Sequence, residues 1–262
     1  MGDERPIAVF DSGVGGISVL AELIRRMPQE SYLYFGDTAN APYGSRTSDE
    51  VRMLTHKHIG TLLSEGAKAA VVACNTATGA AIASLRETYP DVPMIGIEPA
   101  VKPAAEAFPH GRILVMATPV TLSSGKFRNL SERWAGEAEI CPVPCRDLAR
   151  MIEGGIVTGD ILEEYLHKEL DEPLSHGADA VVLGCTHYPF VREVIRKVTG
   201  SLPLFDGGPG TARETERRLR ERGMLSDRKT PGIVSMRTSD PFPAHEALCR
   251  RLLDSMLQKE ID

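Results

Sequence analysis

The sequence predicts an α/β protein made of two similar units, each a mostly parallel sheet with helices on both faces. Three observations predict it. Short apolar runs alternate with segments of helical spacing. Helix start and stop signals fall between those runs. A pattern in the first part of the chain is echoed in the second.

Seven runs have the character of buried strands: IAVF (7–10), YLYF (32–35), AAVVA (69–73), MIGI (94–97), RILVM (112–116), AVVLG (180–184) and LPLF (202–205). The segment 16–27, GISVLAELIRRM, has apolar residues at 17, 20, 21, 24 and 27, one face of a helix. Thr47-Ser48-Asp49-Glu50 reads as a capping box opening a helix that runs through Val51, Leu54 and Leu62 and stops near Gly66. Thr211-Ala212-Arg213-Glu214 reads as a second capping box.

The echo pairs AVFDSGVGG (8–16) and VVACNTA (71–77) with LVMATPVTLSSG (114–125) and VVLGCTHYP (181–189). In each half a strand ends in Asp or Thr and a small-residue turn follows. A Val-Val strand then ends in a cysteine 63 residues beyond Asp11, or 67 beyond Thr118. Open α/β sheets bind ligands beyond the carboxyl ends of their strands. Asp11, Ser12, Asp37, Cys74, Thr118 and Cys185 all sit just past a predicted strand.

The 262 residues fit one large or two small domains and bury a core without staples. A hydrophobic content of 42% and a charged content of 25% are those of an ordinary globular protein. The net charge of −6 argues against a general binder of nucleic acid or anionic membrane. No apolar run approaches the roughly 18 residues of a membrane span. The start, MGDERPIAVF, lacks the basic and apolar regions of a signal peptide, and Pro6 breaks the myristoylation pattern after Gly2. A cytoplasmic location is expected. The cysteines number five, at 74, 141, 145, 185 and 249, an odd set that predicts reduced thiols.

Cys74 and Cys185 carry the chemical interest. Each follows a strand and precedes a predicted helix start, where free N–H groups and the helix dipole favour a thiolate. Asn75, Thr76, Thr186 and His187 surround them with hydrogen-bonding groups that a merely structural cysteine does not need. Four uses of two such thiols stand open. They are a redox pair, a metal site with His187, a single nucleophile with a His base, and two acid-base thiols on opposite sides of one carbon. The first lacks a Cys-x-x-Cys motif. The second has one close pair of ligands, Cys185-x-His187. The third leaves one cysteine unexplained, and the fourth uses both alike.

Elsewhere, GDTANAPYGSRT (36–47) is a polar loop between strand and helix, where ligand contacts commonly sit. DSGVGG (11–16) matches neither a P-loop nor a G-x-G-x-x-G loop, and its glycines suit a tight turn with N–H groups for a carboxylate. Cys141 and Cys145, flanked by Pro142 and Pro144, read as structural, and Cys249 as packing. Trp134 is assigned no role. His56 and His58 lie two apart on a helix and face different sides.

With these stretches in place, the chain resembles the glutamate racemases of the cofactor-independent aspartate/glutamate racemase superfamily. FDSGVGG (10–16), GDTANAPYGSRT (36–47), VVACNTA (71–77), IGIEPAVKPA (95–104) and LGCTHYPF (183–190) carry the resemblance, in order, over most of the chain to about residue 210. It implies two α/β domains, 1–97 with 207–262 and 98–206, with an active site between them. It implies L- and D-glutamate as substrates, no cofactor, no metal, a homodimer, and a supply of D-glutamate for peptidoglycan. Carried over by motif, Cys74 and Cys185 are the two bases. Asp11 assists Cys74, while Glu153 (in ARMIEGG) and His187 assist Cys185. Ser12, Pro42, Tyr43, Gly44, Asn75, Thr76 and Thr186 hold the substrate with Asp11 and His187, and Thr118 and Thr121 join them. Ala77-Thr78-Gly79 departs from the Ala-Ser-Ala of many relatives, and Pro119 stands where relatives vary. The short start lacks the extension that some relatives use for activation by a cell-wall precursor, which leaves regulation open.

Overall fold

The computed structural model describes residues 2–240 and 243–258. The chain divides into two compact units, Met1–Ile97 with Gly208–Asp262 and Glu98–Gly207.

The first unit begins with β1 (Ile7–Asp11), α1 (Ile17–Arg26), β2 (Tyr32–Gly36), α2 (Ser48–Ser64), β3 (Ala69–Val72), α3 (Asn75–Thr88) and β4 (Met94–Gly96). The second contains α4 (Val101–Ala107), β5 (Arg112–Ala117), α5 (Pro119–Ser123), α6 (Gly125–Trp134), β6 (Glu139–Pro144), α7 (Leu148–Glu153), α8 (Asp160–Ser175), β7 (Ala180–Leu183), α9 (Arg192–Val198) and β8 (Leu204–Asp206). The chain then returns to the first unit with α10 (Gly208–Glu221), β9 (Val234–Thr238) and α11 (Pro243–Gln258).

Every strand pairing is parallel. The first sheet has the order β4-β3-β1-β2-β9 and the second β6-β5-β7-β8. Read from its other edge, the second is β8-β7-β5-β6, the order of the first four strands of the first sheet. The echo in the sequence is therefore a repeated topology. β3 and β7 hold equivalent places, as do β1 and β5.

All seven predicted strands form. The two that the pattern missed, β6 and β9, are edge strands. An edge strand faces solvent on one side and does not need a continuous apolar run. β6 reads EICPVP, and its two prolines are tolerated because an outer strand can spare N–H groups. The capping box at Thr47 is present: its side chain accepts from the Glu50 N–H, and the Glu50 carboxylate accepts from the Thr47 N–H. The one expected at Thr211 is not. The helix there starts at Gly208, so Thr211 lies inside it, and Glu214 is engaged instead by Arg217 and Arg218.

One buried ion pair ties the first unit together. Lys68, just before β3, and Glu30, just before β2, have side chains with no solvent exposure and Nζ lies 2.6 Å from Oε2. Lys68 Nζ also donates to the carbonyls of Asp3 (2.5 Å) and Met224 (2.8 Å), and Glu30 Oε1 accepts from the Ser226 N–H at 2.7 Å. The N-terminal segment at Asp3 and the Met224–Ser226 segment meet on this pair. Burying two charges is tolerable because their remaining hydrogen-bonding capacity is filled. Lys68→Met should destabilise the protein by about 3–5 kcal/mol, since it leaves the Glu30 carboxylate buried without its cation. Urea unfolding checks this, and a variant as stable as wild type would contradict it.

Candidate active site

In the first unit the predicted residues gather at the carboxyl ends of β1, β2 and β3. Backbone bonds continue the sheet past its formal end: the Ala73 N–H donates to the Phe10 carbonyl at 2.8 Å, and the Asp37 N–H to the Asp11 carbonyl at 2.9 Å. Asp11 closes β1 with a fully buried carboxylate. Its Oδ1 accepts from the Gly13 N–H at 3.0 Å and lies 3.4 Å from the Ser12 hydroxyl. The glycine loop therefore supplies an N–H to a carboxylate of its own chain. Gly16 is required by close approach, because a Cβ there would stand 2.5 Å from the Asp11 Cβ.

Cys74 lies two residues past β3 and is the N-cap of α3, its Sγ accepting from the Ala77 N–H at 3.4 Å. The thiol thus meets the free N–H groups of a helix start, as the sequence predicts. Asn75 and Thr76 form the first turn and are buried. The Asn75 Oδ1 is buried and meets no donor among the described residues.

The loop bearing Pro42, Tyr43 and Gly44 is organised by Asp37, which follows β2 and is fully buried. Its Oδ2 accepts from the Tyr43 hydroxyl at 2.6 Å, and Asn40 Nδ2 lies 3.0 and 3.1 Å from its two oxygens. His58 Nε2, from α2, lies 3.2 Å from Oδ2, its ring stacked on Phe10 and Phe35. Burial pushes the Asp37 pKa up, but the close approach of His58 and the hydrogen bonds from Tyr43 and Asn40 outweigh it and hold the group below the ordinary carboxylate range. Burial, then the bond to Asp37, raise the Tyr43 pKa, so the phenol stays protonated. Asp37 is visible in the sequence only as a residue past a strand, and His58 only as a helical histidine. Their pairing carries no local signal, because the partners are 21 residues apart.

In the second unit the Gly184 N–H donates to the Met116 carbonyl at 2.7 Å and the Cys145 N–H to the Ala117 carbonyl at 2.9 Å. A Cβ at Gly184 would stand 2.8 Å from that Met116 oxygen, which explains glycine before the cysteine. Cys185 lies two residues past β7, the same offset that Cys74 has from β3. The helix expected directly after it is not there. A turn leads instead into a short 3₁₀ segment, Tyr188–Val191, with Pro189 near its start, and α9 begins only at Arg192. The positive partner of this thiol is a side chain. Cys185 Sγ lies 3.5 Å from His187 Nδ1, and His187 Nε2 lies 2.6 Å from Glu153 Oε1, at the end of α7. Burial works to lower the His187 pKa, but the bonds to Cys185 and Glu153 prevail and raise it well above the ordinary value. Thr186 is buried beside them. Thr118 caps α5 by accepting from the Thr121 N–H at 3.3 Å, and the two hydroxyls are 3.0 Å apart.

Cys145 is buried behind this cluster, its carbonyl accepting from the Tyr188 hydroxyl at 3.3 Å, and Cys249 is fully buried in α11. Among the described residues no group of His, Cys, Asp and Glu is arranged to hold a metal ion, and no helix is long and apolar enough to cross a membrane.

Residues 11–215 match the family model for Asp/Glu/Hydantoin racemase. A glutamate racemase of Clostridium botulinum is 46% identical over 252 residues, which is 96% of this chain and 98% of that protein. Two solved glutamate racemases share the fold. That of Francisella tularensis, in complex with D-glutamate, has a TM-score of 0.84 at 28% identity and covers 99% of this chain and 96% of its own. That of Escherichia coli, in complex with L-glutamate and the activator UDP-MurNAc-ala, has a TM-score of 0.83 at 30% identity and covers 95% of each chain. Two repeated parallel sheets, each with a cysteine past the equivalent strand, and this match over most of the chain define a racemase of the Asp/Glu/Hydantoin family. Within that family the chain belongs to the glutamate racemases.

The charge on His187 predicts a pH dependence. A raised folded pKa stabilises the folded state fully below the ordinary value of 6.5, and the contribution is lost as pH rises through the folded value. Proton NMR should therefore place the His187 midpoint above 6.5, and Glu153→Gln should move it down. An unchanged midpoint in that variant would count against the pairing of His187 with Glu153.

Proposed function

We propose that this enzyme interconverts L- and D-glutamate by moving the α-proton between two thiols, without a cofactor, and that Cys74 and Cys185 are the two bases. The observation that carries the reading is the equivalence of the two cysteines. Each stands two residues past the same strand of a repeated sheet, with polar, buried neighbours.

Inverting a stereocentre requires proton removal on one face and return on the other. Two bases facing one carbon do this while the substrate stays in place. At the start of a turnover one is a thiolate and the other a thiol. The thiolate takes the α-proton, leaving an electron pair on carbon that is delocalised into the adjacent carboxylate. The thiol then donates its proton to the opposite face, and the direction of reaction decides which cysteine plays which part. Asp11 on one side, and His187 with Glu153 on the other, assist these transfers. General acid-base groups of this kind typically contribute roughly 10²–10⁴-fold each.

The carbanion-like state places extra charge on the substrate carboxylate, and donors aimed there stabilise it as it forms. Ser12, Thr76, Thr118, Thr121, Thr186 and the N–H groups of the Pro42–Gly44 turn supply the binding surface in this reading. The buried Oδ1 of Asn75 suits the substrate amino group, which would provide the donor it needs. As in the resemblance, the product D-glutamate serves peptidoglycan synthesis, and the working form is a homodimer.

Circular dichroism with L- and D-glutamate, and with both aspartate enantiomers, tests the activity and its substrate. Cys74→Ala and Cys185→Ala should each abolish racemisation in both directions, and each Cys→Ser variant should be severely slowed. Near wild-type turnover in either alanine variant would sink the two-base mechanism. Turnover of aspartate in preference to glutamate would reassign the substrate.

A further inference from the structure

We propose that Asp37, with His58 behind it, is a positioning residue that presents the Tyr43–Gly44 turn to the substrate, and that the Tyr43 hydroxyl serves this anchor and does not touch substrate. The inference rests on the functional reading above and adds to it two residues and a division of labour within Tyr43.

The geometry argues it in three steps. Asp37 is committed. An ionised carboxylate offers about four lone-pair sites. Here the carboxylate accepts from the Tyr43 hydroxyl at 2.6 Å and from Asn40 Nδ2 at 3.0 and 3.1 Å, while His58 Nε2 stands 3.2 Å from it and makes no hydrogen bond among the described residues, and the Ser239 side chain lies nearby. A fully buried group with those neighbours acts through them.

Tyr43 is committed as well. Its ring is buried against Phe10, with centroids 6.3 Å apart, and its hydroxyl proton points at Asp37. What the turn can still offer outward is backbone N–H and the following glycine. Those groups have no rotamers of their own, so their placement depends wholly on how the turn is anchored.

The anchor is rigid on every side. The Asp37 N–H is bonded to the Asp11 carbonyl, so the carboxylate is referenced to the end of β1. His58 is clamped between Phe10 and Phe35, at centroid distances of 5.8 and 4.7 Å. Across the loop, Arg46 Nε donates to the Asn40 carbonyl at 2.7 Å and the Arg46 N–H to the Tyr43 carbonyl at 3.1 Å. The Ala39 N–H reaches the Ser239 hydroxyl at 3.0 Å. A carboxylate held by β2, a histidine held by α2 and a turn between them form one connected unit.

Steady-state racemisation of glutamate by wild type, Asp37→Asn, Tyr43→Phe, His58→Asn and the Asp37→Asn/Tyr43→Phe double variant tests the proposal. Contacts made equally in ground and transition states appear in KM. Loss of a hydrogen bond to a charged group is expected to raise KM on the order of 10-fold. The three single variants should therefore show raised KM with kcat within about threefold of wild type. The double variant should be no worse than the poorer of its two parents, because both cut the same link. Tyr43→Phe removes one oxygen and keeps the fold, so its KM carries the test if another variant misfolds. Unchanged KM with a lower melting temperature or lower kcat would make Asp37 structural only. Additive losses in the double variant would also overturn the proposal, by giving the hydroxyl a role apart from Asp37. A wild-type enzyme that does not racemise glutamate would overturn the functional reading, and this inference with it.

Discussion

The candidate residues of both units depend on one constraint, that parallel strands all end at the same edge. In a parallel ladder the residue after each strand finds its N–H beside a carbonyl at the end of the neighbouring strand. That bond recurs in both sheets, from Ala73 to Phe10 and Asp37 to Asp11 in one, and from Gly184 to Met116 and Cys145 to Ala117 in the other. It carries regular backbone one residue past each strand and fixes where the next side chain leaves. Cys74 and Cys185 are next after Ala73 and Gly184. Their equivalent placement follows from hydrogen bonding rather than from any similarity in what comes after them.

What comes after them differs, and the difference is electrostatic. Cys74 stands at the start of a helix, where the positive field comes from backbone N–H groups. That field does not titrate. Cys185 stands at a turn, and its neighbour is His187, which does titrate and whose pKa, against the lowering effect of burial, is raised by its bonds to Cys185 and Glu153. One topology has thus been given two solutions to the same requirement. The second needs a carboxylate brought from α7, and Glu153 sits at the very end of that helix, followed by Gly154 and Gly155, where the chain can turn away.

The division between what was legible and what was not follows the same physics. Strands buried on both faces are continuous apolar runs, so seven of the nine in the described residues could be read directly. β6 and β9 could not, because EICPVP and VSMRT interrupt their apolar residues with polar ones or proline. The capping box at Thr47 holds because Thr and Glu are followed there by a helix that begins at Ser48; at Thr211 the same spacing falls inside a helix already begun at Gly208. A spacing rule recognises residue types but not the position of the first turn. Cysteines were legible as chemistry because they recur with polar neighbours. Asp37 and His58 were not, since neither has a counterpart in the echo and their contact crosses from loop to helix.

The two buried acidic groups of the first unit show why such contacts escape a sequence reading. Glu30 meets a full cation, Lys68, and its environment is that of a structural ion pair joining distant segments. Asp37 meets hydroxyl and amide donors and one histidine, from its own loop, the helix after it and the residue after β9. Both carboxylates are buried, yet the first is compensated by charge and the second by hydrogen bonds. The Lys68–Glu30 pair, its remaining hydrogen bonds filled, holds distant elements together. A carboxylate compensated by several directional donors fixes the direction of each one. That property suits a turn that offers backbone N–H groups.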